Sequence, residues 1–156
     1  MRLKPKSSRM FLRALLILMG VSAWGWQVAT ATAAPDAKVQ AILVWGTDEI
    51  KPDKKSLKQL DGKLHEKLAK VFKWQHYFEV SRKSSSLPSG KPQGLKLSDD
   101  CSVEIKVLPD NIAEVKLIGK GKTLVTRRHS LAKAEALVLA GDDRNNNAWF
   151  VVLNFN

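Results

Sequence analysis

The spacing of hydrophobic positions changes twice along the chain. Residues 39–45 form a short, mostly apolar run that ends at Gly46-Thr47-Asp48, the pattern of a buried strand. Beyond Pro52-Asp53 the spacing lengthens. Leu57, Leu60, Leu64, Leu68, Val71 and Phe72 recur at steps of three and four, and Ser56-x-x-Gln59 has the form of a capping box. This spacing predicts one amphipathic helix reaching Trp74, weakened at Gly62 by about 1 kcal/mol.

After the helix the period falls to two. Residues 77–81, 103–107, 112–118 and 123–129 read as strands, joined in part by a turn at Pro109-Asp110-Asn111 and another at Gly119-Lys120-Gly121-Lys122. Residues 136–140 and 149–153 close the chain. Residues 148–155 are apolar on both parities, the mark of a central strand. The Ser-, Pro- and Gly-rich stretch near 84–94 reads as a long, mobile loop. Together these elements predict an α+β fold in the order β-α-β-β-β-β-β. It is a two-layer sandwich, with one long amphipathic helix packed on a mostly antiparallel sheet of about six to seven strands. Trp45, Trp74 and Trp149 are expected in its core.

The N-terminus follows a different logic. Arg2, Lys4, Lys6, Arg9 and Arg13 precede an apolar stretch over 14–26, and Ala29-Thr30-Ala31-Thr32-Ala33-Ala34 supplies small residues just before Pro35. A basic end, an apolar middle and a small-x-small site are the parts of an export signal. The expected cut follows Ala33, leaving 34–156 as a single domain that is periplasmic or secreted. The apolar stretch is short of the ~20 residues that span a bilayer, and no later segment is apolar enough to do so.

Charge changes the picture less than it first promises. The formal net charge is +11, but five of the 26 basic residues and none of the 15 acidic ones lie in the leader. What remains is a moderately basic globular chain, with no aromatic-basic interleaving and no zinc-finger spacing to suggest nucleic acid. A single cysteine, Cys101, has no internal partner. It is either buried as a small apolar residue or paired with another chain.

Motifs for chemistry are sparse. Gly119-Lys120-Gly121-Lys122-Thr123 ends like a phosphate-binding loop. Lys116 stands where that motif needs its first glycine, and strands flank it on both sides, so a hairpin turn explains it better. His65, His76 and His129 sit in separate elements and offer no zinc-ligand spacing. Asp99-Asp100 and Asp142-Asp143 are adjacent pairs, which point to opposite faces of a strand and make no facing acid–base couple. No metal or cofactor is expected.

Two features of the predicted helix are candidates for function. Lys55, Lys58, Lys63, Lys70 and Lys73 fall on the side away from the leucines and form a basic face suited to an anionic envelope component or an acidic protein. Asp61 falls among the leucines, where His65 one turn later is its natural partner in a buried pair. The reading that follows is an exported, non-catalytic binding or assembly module of the cell envelope or secreted space. It would act through a strand edge or the lysine face. The competing reading is a small exported hydrolase, with Asp and His residues assembled by the fold.

Overall fold

The computed structural model describes residues 37–49, 57–141 and 147–156. The leader, Lys55, Ser56 and Asp142-Asp143 lie outside them.

Two strands that are apolar on both faces dictate the architecture. Strand β1 (Ala37–Thr47) and the last strand, Ala148–Phe155, pair antiparallel, with Val39 opposite Phe155 and Trp45 opposite Trp149. Side chains alternate across a strand, so this pair needs apolar cover on both sides. A second sheet covers one side and a short helix covers the other.

In chain order the remaining elements are β2 (Lys58–Gln59), α1 (Gly62–Ala69), β3 (His76–Leu87), β4 (Pro92–Lys96), β5 (Cys101–Leu108), β6 (Ile112–Gly119), β7 (Lys122–Ser130) and β8 (Leu137–Ala140), with Ala148–Phe155 as β9. The first sheet has five strands in the order β2-β3-β1-β9-β8, which places β1 and β9 in its interior. The second is a four-stranded meander, β4-β5-β6-β7. All the strand pairings are antiparallel.

Between the sheets Val39, Ala41, Leu43, Val151 and Leu153 meet Val103, Ile105, Val115 and Leu117. On the far side of the five-stranded sheet Ile42, Val44, Tyr77, Phe150 and Val152 are covered by Leu60, Leu68 and Trp74. Truncating such a buried side chain to alanine costs about 2–5 kcal/mol. The outer face of the meander is polar and carries cross-strand ion pairs. Lys116 lies 2.8 Å from Glu104, and Arg128 lies 3.2 Å from Glu114.

The structure overturns the two-layer α+β expectation. The described residues are mostly β, with two facing sheets and one α-helix of eight residues. The apolar positions from Leu57 to Phe72 are not one helical stripe. Leu60 belongs to an extended segment, its N–H bonded to the Tyr77 carbonyl at 3.0 Å. Asp61 then caps a helix that starts at Gly62, and its carboxylate accepts the Leu64 N–H at 3.0 Å. The helix ends at Ala69, after which the chain turns to lay Phe72 and Trp74 against Phe150. Val71, expected on the apolar stripe, is 74% exposed.

The loop expected near 84–94 is likewise mostly strand. Residues 84–87 continue β3, paired with 37–40 of β1, and β4 begins at Pro92. Pairing with a neighbour outweighs the weak strand propensity of three serines. No helix among the described residues is long and apolar enough to cross a membrane.

Candidate functional site

At the end of the sandwich where β1 finishes and β9 begins, the sheets part to leave an open cleft of about 680 Å³. Leu43 and Trp45 from β1 and Trp149 from β9 form one wall, and Cys101, Gly119 and Leu124 form the other. Val80 and Leu57 lie at the side, with Ser98, Asp100, Lys120 and Lys122 at the polar margin. Trp45 and Trp149 are half-buried cross-strand neighbours, and Phe78 tilts against Trp45 with ring centroids 6.2 Å apart.

Three local devices shape this cleft. The first is a β-bulge in β3: Ser81 is opposite Leu43 and Glu79 opposite Val44, which leaves Val80 as an extra residue. A bulge re-aims side chains. Val80 becomes part of the cleft lining while 41% exposed, and Ser81 donates its hydroxyl to the Leu97 carbonyl at 2.6 Å.

The second device is a register shift in β7, where Leu124 is passed over between Thr123 opposite Ile118 and Val125 opposite Leu117. Leu124 lies where a side chain on Gly119 would be, since a Cβ there would come 2.6 Å from Leu124 Cδ1. The third is Gly141, whose missing side chain leaves room for the indole of Trp149.

The hairpin that carries the basic margin is a two-residue turn. Lys120 and Gly121 both have positive φ, 50° and 76°, between the paired residues Gly119 and Lys122. That is a type I′ turn, whose first position ordinarily goes to Asn, Asp or Gly. The Lys120 N–H donates to the Asp100 carbonyl at 2.8 Å, which fastens the turn to the β4–β5 connection.

Cys101 is buried, and that burial pushes its thiol up to about 11. At neutral pH it is a protonated wall residue rather than a nucleophile.

The residues singled out from the sequence fall elsewhere. Lys58 lies on β2, Lys63 on α1, Lys70 at its C-cap, and Lys73 beyond it with Nζ 5.2 Å from the centroid of Trp74. All four are exposed, but only Lys63 lies within the helix itself.

The Asp61–His65 pair does not form, and Asp61 is not buried. An N-cap side chain turns back to the amide N–H groups of the first turn, away from the next turn. The Asp61 carboxylate also lies 3.8 Å from Arg82, whereas His65 Nε2 donates to the Gln75 carbonyl at 3.2 Å and sets its ring edge-on to Tyr77. Among the described residues no three His, Cys, Asp or Glu side chains converge as metal ligands.

The cleft itself was not foreseen. Trp45 and Trp149 read as ordinary core from the sequence, and the signal that bears on the site is the pairing of a small residue with a large one, Gly119 with Leu124 and Gly141 with Trp149. That pairing exists only once the strands are registered.

In comparisons with known proteins, no family model, no curated protein and no solved structure matches this chain.

Proposed function

We propose that the chain is an exported, non-catalytic binding module whose ligand site is the cleft between its two sheets. The observation that carries this reading is the cleft's lining. Leu43, Trp45, Val80, Leu124 and Trp149 present apolar surface around about 680 Å³ of open space, beside the intersheet core. Clefts of roughly 300–1,000 Å³ with apolar walls and a few polar groups at the margin are what small-molecule sites look like. Half-exposed tryptophans are also costly to leave in water unless something covers them.

The chemistry of the walls supports binding over catalysis. The Cys101 thiol is held protonated, and the Asp61 and His65 side chains have separate partners and form no couple with each other. Export rests on the basic, apolar and small-residue order of the first 34 residues, and it makes an envelope component the natural ligand.

Titration with the neutral apolar dye N-phenyl-1-naphthylamine tests the site. Saturable binding is expected, abolished by Leu124→Trp, which fills the mouth, and weakened by Trp149→Ala. Equal dye uptake by wild type and Leu124→Trp would reject the cleft. Export is checked by intact mass of the protein from its native cells. A chain beginning at Ala34 is expected, and Met1 retained on a cytosolic protein would reject it.

A further inference from the structure

Building on that cleft reading, we propose that the ligand is an elongated amphiphile with an anionic head group. Its apolar chain lies between Trp45, Trp149 and Leu124, and its head is held at the hairpin carrying Lys120 and Lys122.

Among the described residues that line the cleft, the charged groups lie together at one margin, and Ser98 and Asn147 add neutral polar groups. Its depth is lined by Leu43, Trp45, Cys101, Gly119 and Trp149, whereas its charged groups, Lys120, Lys122 and Asp100, are all exposed at the margin. Lys120 and Lys122 are the basic ones among these described residues, and Asp100 is the acidic one. A wholly apolar ligand would have no use for such a margin. A ligand polar along its whole length would have to bury hydrogen-bonding groups against indole and leucine, which is costly. The complement of this lining is a chain that is apolar for most of its length and negative at one end.

The position of Lys120 strengthens the assignment. At φ 50° it occupies a left-handed conformation that disfavours residues with a long side chain. Asn, Asp or Gly would make the same turn with less strain. Residues held against their backbone preference cluster where their side chain has work to do. The bond from Lys120 N–H to the Asp100 carbonyl fixes the turn. The lysines are thereby carried by a rigid tip, and their charges stay hydrated. Hydrated charges at a margin discriminate between ligands by modest factors and do not dominate affinity.

The test compares three ligands of equal chain length below their micelle concentrations: palmitate, hexadecanol and hexadecyltrimethylammonium. The readout is quenching of tryptophan emission on titration into the purified protein. Palmitate is expected to bind roughly three- to tenfold more tightly than hexadecanol, and the cationic amphiphile more weakly than either. Lys120→Gln with Lys122→Gln should equalise the acid and the alcohol, and Lys120→Glu with Lys122→Glu should reverse the preference toward the cation. Lys120→Gly, which relaxes the turn, should raise the melting temperature while reducing the preference for palmitate, so that lost selectivity is separated from lost folding.

Equal binding of all three ligands by the wild type would overturn the head-group assignment and leave the cleft reading standing. Failure of all three to bind would overturn both.

Discussion

Glu79 and Arg82 lie three residues apart on one strand and yet face the same side of the sheet. The guanidinium grips the carboxylate there, through Nε at 3.1 Å and Nη2 at 2.5 Å. Residues at odd spacing on a regular strand point to opposite faces. Here Arg82 is opposite Ile42 and Glu79 opposite Val44, because Val80 is the extra residue of the bulge. Arg82 also donates to Gln40 Oε1 at 2.8 Å and lies 3.8 Å from the carboxylate that caps α1. One guanidinium thus links β3, β1 and the start of the helix.

This link makes stability depend on acid. The hydrogen bonds from Arg82 hold the Glu79 carboxyl below its ordinary value near 4.5, against the opposing effect of burial. A carboxyl whose folded value is depressed binds protons more readily when unfolded. Its contribution is complete above the ordinary value and is lost as pH falls through the folded one. Glu79→Gln is expected to cost about 1–2 kcal/mol at pH 7 and much less at pH 3. Urea unfolding at both pH values checks this, and an equal loss at both would show that the pair contributes no pH-dependent stability.

The bulge also predicts a tolerated deletion. Removing Val80 joins Glu79 to Ser81, and each keeps its partner on β1 and therefore its face. The variant should fold with a loss of roughly 1–3 kcal/mol, within the range of ordinary single changes. Its cleft should be narrower and bind the neutral dye less well, because Val80 no longer contributes to the lining. A deletion variant that does not fold would show that the sheet requires the extra residue.

Some of this architecture was legible in the amino-acid order and some was not, for identifiable reasons. The β5–β6 hairpin follows from alternation and from a turn whose residues, Asp110 and Asn111, suit positive φ, and the β6–β7 turn is marked by Gly121. The helix is shorter than its apolar spacing predicts because Leu57, Leu60, Val71 and Phe72 serve tertiary contacts or solvent, and only by coincidence match a helical period. The better local signal was Asp61 followed by Gly62, a cap with a helix start behind it. The second sheet is absent from the sequence reading, although β9 is apolar on both faces and one helix covers only one of them. The strand at residues 84–87 depends on pairing with residues 37–40, which no local pattern reveals. The cleft gathers residues from β1, β3, β5, β6, β7 and β9, so only the folded chain displays it.

At the other end of the intersheet space His129 stacks on Phe155, with centroids 5.4 Å apart and planes at 23°. Its Nε2 is buried and has no hydrogen-bond partner among the described residues. An unsatisfied buried nitrogen costs about 1–3 kcal/mol. His129→Phe keeps a ring on Phe155 and removes that atom, so it should raise stability by about 1 kcal/mol in urea unfolding. A clear loss would show that the nitrogen has a partner in solution.

Gly141 offers a test of how the Trp149 wall is held. A Cβ at this position would overlap the indole, and the Gly141 N–H donates to the Trp149 carbonyl at 2.8 Å, so the backbone cannot easily retreat. Gly141→Ala should displace the ring at a cost of about 1–3 kcal/mol and shift tryptophan emission to longer wavelength. In a Trp149→Ala background the same change should cost little, which a double-mutant cycle measures. Additive losses would mean that the two residues do not touch.

Cys101 tests the closure of the cleft's inner wall. The residue is 6% exposed, and burial raises its thiol from an ordinary value of 9.0 to about 11. The folded state therefore holds its proton across a range where the unfolded chain releases it. This contribution to stability is complete below pH 9 and is lost as pH climbs toward 11. At pH 8 the folded thiol should carry roughly a hundredfold less thiolate than the unfolded one, and alkylation by iodoacetamide should slow at least in proportion. Unfolding in urea should restore the ordinary rate. A cleft ligand should slow the folded rate further, since Cys101 lines the space the ligand fills. Equal rates for folded and urea-unfolded protein would mean that the thiol stands open to solvent and that β5 does not close its side of the cleft.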